Sequence, residues 1–277
     1  MSVIANNLTK IYRLKKKSFK TAVDKVSFEI PDGQITAFVG PNGAGKSTTI
    51  KMLTGILTPD GGSVSINGLA YPKDRKKIML KIGTVFGQKS VLCWDIPVLD
   101  TLKLFKDMYG VPESDYKRNM EMFTDILGLD EFIGQPPRLL SLGQRMKADL
   151  AASLLHNPEI LFLDEPTIGI DVLSKERIRN FILQVNKERK TTVILTTHDV
   201  SDIETLCEKM MVIDKGVLLY DGNLTELKAL YKTTDLEEII KKIYLNGLID
   251  RGDIAANELQ ASPEKNDCRI SRNIRAC

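Results

Sequence analysis

The run Gly40-Pro41-Asn42-Gly43-Ala44-Gly45-Lys46-Ser47-Thr48 constrains this chain more than any other stretch. It matches the phosphate-binding pattern G-x-x-x-x-G-K-[ST] in full. Residues 34–39 just before it are short, apolar and β-prone, and residues 47–54 just after it read as the start of a helix. A strand, a glycine loop and a helix N-terminus together make an anion site, because unpaired N–H groups point at the ligand and the helix dipole adds positive potential. Gly43 and Gly45 let the chain wrap phosphates with no Cβ in the way. Lys46 then reaches the β and γ oxygens, and the Ser47 hydroxyl is placed to ligate Mg²⁺.

A second run, Ile160-Leu161-Phe162-Leu163-Asp164-Glu165, is an apolar strand that delivers two carboxylates at its C-terminal end, where open α/β sheets bind ligands. Triphosphate hydrolysis asks for one carboxylate at the metal and one at the attacking water. Adjacent strand residues point to opposite faces, so the expectation is Asp164 on the metal side and Glu165 toward the water. Thr196-Thr197-His198 ends the next strand in the same manner, and His198 is expected to sense the γ-phosphate as a hydrogen-bond donor. Gln88 leaves the strand 82–86, and its amide oxygen is a candidate for Mg²⁺ or for the water.

The remaining pattern places these runs in a sheet. Residues 3–9 and 25–30 alternate as antiparallel strands, with a basic loop between them, Tyr12-Arg13-Leu14-Lys15-Lys16-Lys17-Ser18-Phe19-Lys20, that reads either as a solvated hairpin tip or as a contact for anionic headgroups or a partner. Helical periodicity covers 98–128 with a break at Gly110-Val111-Pro112, and Ser141 fits the N-cap of a helix that ends near His156, expected there as a dipole-complementing surface residue. A helix over 173–189, a strand over 192–196, a hairpin around Asp214-Lys215-Gly216 and helices over 224–231 and 236–245 follow. Beyond Gly247 the polar, aperiodic sequence reads as disordered. The βαβ alternation predicts a doubly wound sheet.

Composition limits what such a sheet serves. The 277 residues are 43% hydrophobic and 27% charged, an ordinary globular balance. A net charge of +3 is too near neutral to argue for nucleic acid, and no nucleic-acid partner is expected. The N-terminus has no signal-peptide pattern, no window approaches about 18 uninterrupted apolar residues, and the cysteines lack C-x-x-C spacing, so reduced cytosolic thiols are expected.

Leu140-Ser141-Leu142-Gly143-Gln144, lying between the phosphate loop and Leu163-Asp164-Glu165-Pro166-Thr167, resembles the signature motif of ATP-binding cassette (ABC) ATPases. In that family's pattern Tyr12 matches the aromatic that stacks on adenine, Gln88 the Q-loop, Asp171 in Gly169-Ile170-Asp171 the D-loop, and His198 the switch histidine. Gly87-Gln88-Lys89-Ser90, Cys93-Trp94-Asp95 and the run from Ser141 to Leu150 look like the ATPase subunits of bacterial viologen- and multidrug-export systems, whose membrane subunits are separate chains. The signature departs in carrying Leu142 where many cassettes have a further glycine.

The resemblance implies an α/β fold: a P-loop NTPase core with a mostly parallel sheet, an N-terminal antiparallel β subdomain and an inserted α-helical subdomain at about 98–156. It implies an ATPase domain over 1–231, a C-terminal helix over 232–246 and a tail over 247–277. ATP would lie on residues 40–48 with Tyr12, Gln88, Ser141, Gly143, Gln144, Asp164, Asp171 and His198. Mg²⁺ would lie on Ser47, Gln88 and Asp164, and catalysis would fall to Glu165, His198, Lys46 and Gln88. The implied partners are a second ATPase subunit, with homodimerisation expected, and integral membrane permeases at the cytoplasmic face of the cell membrane. An apolar surface near Val91, Leu92, Trp94 and Ile96 is the expected docking face, although Trp94 also fits as plain subdomain core. A soluble cassette of DNA repair or translation would need coiled-coil arms or a second cassette, and a P-loop kinase or GTPase would have no use for the signature.

Overall fold

The phosphate-loop unit sits at the centre of the computed structural model, which describes residues 3–14, 18–87 and 89–250. The chain opens with β1 (Val3–Arg13) and β2 (Phe19–Ile30), an antiparallel hairpin longer than alternation predicts. Register shifts between Ala5 and Leu8, Leu8 and Lys10, and Lys10 and Ile11 break the period of two while backbone pairing continues. Tyr12 therefore lies on a strand opposite Lys20, not in a loop. Residues 15–17 lie outside the described residues.

Then come β3 (Ile35–Val39), α1 (Lys46–Leu53), β4 (Gly61–Ile66), β5 (Leu69–Ala70), α2 (Arg75–Met79) and β6 (Ile82–Phe86). Next are α3 (Val98–Tyr109) and α4 (Glu113–Leu127), separated where Gly110 takes a left-handed cap at φ 63°. Two 3₁₀ turns lead to α5 (Leu142–Leu154). The chain continues with β7 (Ile160–Asp164), α6 (Val172–Arg189), β8 (Thr192–Thr196), α7 (Val200–Leu206), β9 (Lys209–Asp214), β10 (Val217–Asn223), α8 (Leu224–Tyr231) and α9 (Leu236–Asp250).

Two sheets result: an antiparallel one in the order β2-β1-β4-β5, and a larger one in the order β10-β9-β3-β8-β7-β6. In the larger sheet every pairing is parallel except β10 with β9. Strand β7 shows why it reads as continuously apolar. Leu161 and Leu163 enter a core shared with α5 and α6, while Ile160 and Phe162 enter another shared with β1, β2 and α1. All four are fully buried, worth on the order of 1.5–3 kcal/mol each. A third core joins Ala37, Val39, Met210 and Val212 to Leu236, Ile239 and Ile243 of α9.

Two expectations are corrected. Helix α9 runs to Asp250, past Gly247, where a disordered tail was expected. A Cβ on Gly247 would meet the Leu219 side chain at 2.7 Å, so the small residue lets the helix lie close on β10. Residues 251–277 lie outside the described residues. His156 is not a surface cap: its ring stacks on Tyr109 with centroids 4.0 Å apart, and Nε2 lies 3.0 Å from the Ile82 carbonyl. Burial lowers its pKa, which favours the neutral ring. Among the described residues no helix is long and apolar enough to cross a membrane.

Candidate active site

Parallel pairing brings three strand ends together. Phe38 lies beside Thr196, and Thr196 beside Asp164, so the loops after β3, β8 and β7 leave the sheet at one edge. Between β3 and α1, Gly45 has φ 113°, and a Cβ there would meet the Ala22 carbonyl oxygen at 2.6 Å. Only glycine fits where the N-terminal hairpin closes on the loop. The same hairpin carries Tyr12, half-exposed, with the Lys10 ammonium 6.0 Å from its ring centroid. No side chain caps the first turn of α1, which leaves its N–H groups to a ligand.

Lys46 is buried, and its Nζ donates to the Gly40 carbonyl at 2.6 Å and to that of Pro41 at 3.3 Å. Burial lowers its pKa against the opposing pull of Glu165 and Asp164. Nζ is 3.9 Å from Glu165 Oε1, and Glu165 Oε2 is 3.5 Å from His198 Nδ1. The two acids separate by a route other than strand alternation. Glu165 has left the strand with φ 54°, its N–H donating to the Thr196 carbonyl at 3.1 Å. Asp164 stays on β7, where its Oδ1 accepts from Ser47 Oγ at 3.1 Å and from Thr196 Oγ1 at 2.6 Å.

That Ser47–Asp164 pair is an all-oxygen donor set of the kind that suits a hard cation such as Mg²⁺. Among the described residues no group of three or more His, Cys, Asp or Glu forms a metal cage. Gln88 lies outside the described residues.

The signature residues form a second group. Ser141 Oγ accepts from the Gln144 N–H at 3.2 Å while Gln144 Oε1 accepts from the Ser141 N–H at 3.0 Å, a complete capping box on α5. Gln144, read as a nucleotide contact, spends its carbonyl oxygen on that cap. Gly143 is buried against Ser174 and Asp171, and Asp171 caps α6 by accepting from the Ser174 N–H at 2.9 Å. Among the described residues no hydrogen bond or ion pair joins Ser141, Gly143, Gln144 or Asp171 to Lys46, Ser47, Asp164, Glu165 or His198.

A further link, which sequence reading missed, joins α5 to Ser90 and Val91. Asp149 on α5 is buried, and its Oδ1 accepts from Ser90 Oγ at 2.8 Å and the Val91 N–H at 2.9 Å. Burial pushes its carboxyl up to about 6, against the bonds from Ser90 and Val91. Because the fold resists ionisation, its share of stability is largest below the unfolded value of 3.8 and is lost as pH rises through about 6. The melting temperature of Asp149→Asn relative to the native chain is therefore expected to be higher at about pH 8 than at about pH 4; a pH-independent difference would refute this.

The exposed face beyond this link is smaller than predicted, since Leu92 is 6% exposed and belongs to the core. Val91, Trp94 and Ile96 remain outside, with Trp94 at 51% exposure and the Arg145 guanidinium of α5 5.8 Å from its ring centroid.

Comparison with known proteins accords with this geometry. A family model described as ABC transporter matches residues 23–168. The chain is 30% identical over 233 residues to the ABC transporter ATP-binding protein NatA of Bacillus subtilis (strain 168), covering 84% of this chain and 94% of that one. It is 34% identical over 223 residues to the linearmycin resistance ATP-binding protein LnrL of the same organism, covering 80% and 70%. Among solved structures, the ATP-binding cassette MJ0796, dimeric in a post-hydrolysis state with ADP and Pi, superposes with a TM-score of 0.72 at 26% identity, over 80% of this chain and 98% of that one.

Proposed function

Because this chain belongs to the ABC transporter family and is one of its ATPases, we propose that it powers export through separate membrane subunits and does so as an ATP-closed homodimer at the cytoplasmic face of the membrane. The observation that carries this reading is the split of the site. The phosphate loop with Glu165 and His198 forms one half, and the Ser141-capped helix with Gly143 and Asp171 forms the other, with no hydrogen bond or ion pair between them among the described residues. A second copy completes each half, its Ser141 and α5 N-terminus offering a further positive helix end to the γ-phosphate. The dimeric MJ0796 cassette supports this arrangement, and the resistance relative LnrL supports export.

In the reaction, water attacks the γ-phosphorus as Glu165 accepts its proton. The bond to the β–γ bridging oxygen breaks, and ADP departs with Lys46 beside the developing charge. His198, held against Glu165, orients that carboxylate. Ser47 and Asp164 would hold Mg²⁺, whose chemistry would be to neutralise charge on the phosphates. Residues 98–156 act as a helical subdomain that carries the signature, with 1–231 as the ATPase unit and α9 as its C-terminal brace.

The membrane partner docks at Val91, Trp94 and Ile96, since an exposed tryptophan among apolar residues suits an interface anchor. Trp94→Ala is expected to abolish transport in reconstituted vesicles while basal ATP hydrolysis changes less than about twofold. Normal transport by that variant would discard this docking face, and failure of the native chain to capture any membrane protein would discard the transporter reading.

A further inference from the structure

We infer that Asp202 is a positioning residue for ATP hydrolysis, holding the loop that carries Glu165 and the loop that carries His198 at a fixed separation through the hydroxyls of Thr167 and Thr197. The inference rests on the reading of Glu165 and His198 as the hydrolytic pair.

The need for such a residue follows from where the ladder stops. Strands β7 and β8 are in register up to Asp164 beside Thr196, and the Glu165 N–H still reaches the Thr196 carbonyl at 3.1 Å. Beyond that point both chains leave the sheet. Backbone pairing no longer sets the distance between Glu165 and His198, yet their side chains lie 3.5 Å apart. A separation that fine between two loop residues requires another restraint.

Asp202 supplies it from behind. The residue is fully buried on α7, four positions after His198. Its Oδ2 accepts from Thr167 Oγ1, two residues past Glu165, and from Thr197 Oγ1 at 3.3 Å, immediately before His198. Both threonines are themselves buried, so neither hydroxyl has water as an alternative partner. Its Oδ1 accepts from Arg179 Nε at 2.6 Å, and the Arg179 Nη2 is also ion-paired with it. A carboxylate has lone pairs enough for all these donors. Arg179 supplies the countercharge that a fully buried carboxylate requires.

The same side of α6 is tied to the switch loop a turn earlier, where Lys175 Nζ lies 2.6 Å from Asp199 Oδ2. Arg179 also donates to Ser201 Oγ at 2.6 Å. Helix α6 thus grips the His198 loop from its C-terminal side, at Asp199 and Ser201, and Asp202 passes that grip on to Thr167 and Thr197. Among the described residues no hydrogen bond or ion pair joins these groups to the phosphate loop or Lys46, so their loss should affect the chemical step and not nucleotide capture.

The test is steady-state ATP hydrolysis by Asp202→Ala and by Thr167→Val, the latter close in volume and lacking only the hydroxyl donor. Asp202→Ala is expected to lower kcat at least tenfold, and Thr167→Val about threefold, both with KM for ATP within about twofold of native. In a His198→Ala background, Asp202→Ala should add less than about twofold, because it acts through the geometry it shares with His198. Should Asp202→Ala fail to fold, Thr167→Val carries the test alone. Native kcat in the folded variants, a rise in KM matching the fall in kcat/KM, or full additivity with His198→Ala would overturn the inference. Glu165→Gln is measured beside them. If it hydrolyses ATP at the native rate, the hydrolytic pair and this inference fall together; if it is inactive while Asp202→Ala and Thr167→Val are native, only this inference falls.

Discussion

Glu165→Gln is expected to hydrolyse ATP on the order of 10²-fold more slowly than the native chain while binding it at least as tightly, and to accumulate as a dimer when ATP is added. The substitution keeps the shape of the side chain and removes its capacity to accept a proton from water. It also removes the negative charge 3.9 Å from the Lys46 ammonium, which frees that cation for the γ-phosphate. Binding is therefore spared while chemistry is lost, and a nucleotide that cannot be cleaved keeps two copies bridged. Phosphate release measures the first effect and light scattering with and without ATP the second. A native hydrolysis rate would remove Glu165 from the reaction, and a strictly monomeric variant in saturating ATP would remove the shared site.

Gly143→Asp is expected to lower hydrolysis more than tenfold while ATP still binds the monomer. The steric part is modest, since a Cβ at Gly143 would meet Ser174 Oγ at 2.9 Å and a serine side chain can rotate away. Charge does the damage: the Asp171 carboxylate lies 3.4 Å from that Cβ, so the new carboxylate faces one already present at the head of α6. Gly143→Ala, which adds the Cβ without the charge, should lose far less. Mixing Gly143→Asp with Lys46→Ala should restore activity, because the phosphate loop of the first and the signature helix of the second make one intact site. If the mixture stays as inactive as its parts, the two halves do not work across copies.

How far these residues were legible in the sequence depended on which force placed them. The strands at 82–86 and 192–196 match the observed β6 and β8, because β-prone runs hemmed by turns have few other ways to be buried. The pattern placed the phosphate loop, Asp164 and His198 at or just past strand ends, and those ends lie at one edge of the sheet. What escaped depended on contacts distant in sequence. Arg179 and Asp202 stand 23 residues apart and Asp149 and Ser90 stand 59 apart, with no periodicity to connect them. The means by which Glu165 turns away from Asp164 escaped, because a left-handed residue at a strand end replaces alternation. His156 escaped because its stacking partner, Tyr109, comes from α3. The far part of β1 escaped because edge pairing needs no apolar face.

Strand β7 is gripped above by one core and below by another, through alternate residues of the same five-residue run. If the chain closes on a second copy as proposed, this strand is expected to stay still while the parts that carry Ser141 and Trp94 take up the travel. Asp164 behaves as a fixed mark against which those parts are brought into line, so temperature or solvent stress should blunt the approach of the second subunit before it disturbs the place where Ser47 and Asp164 meet.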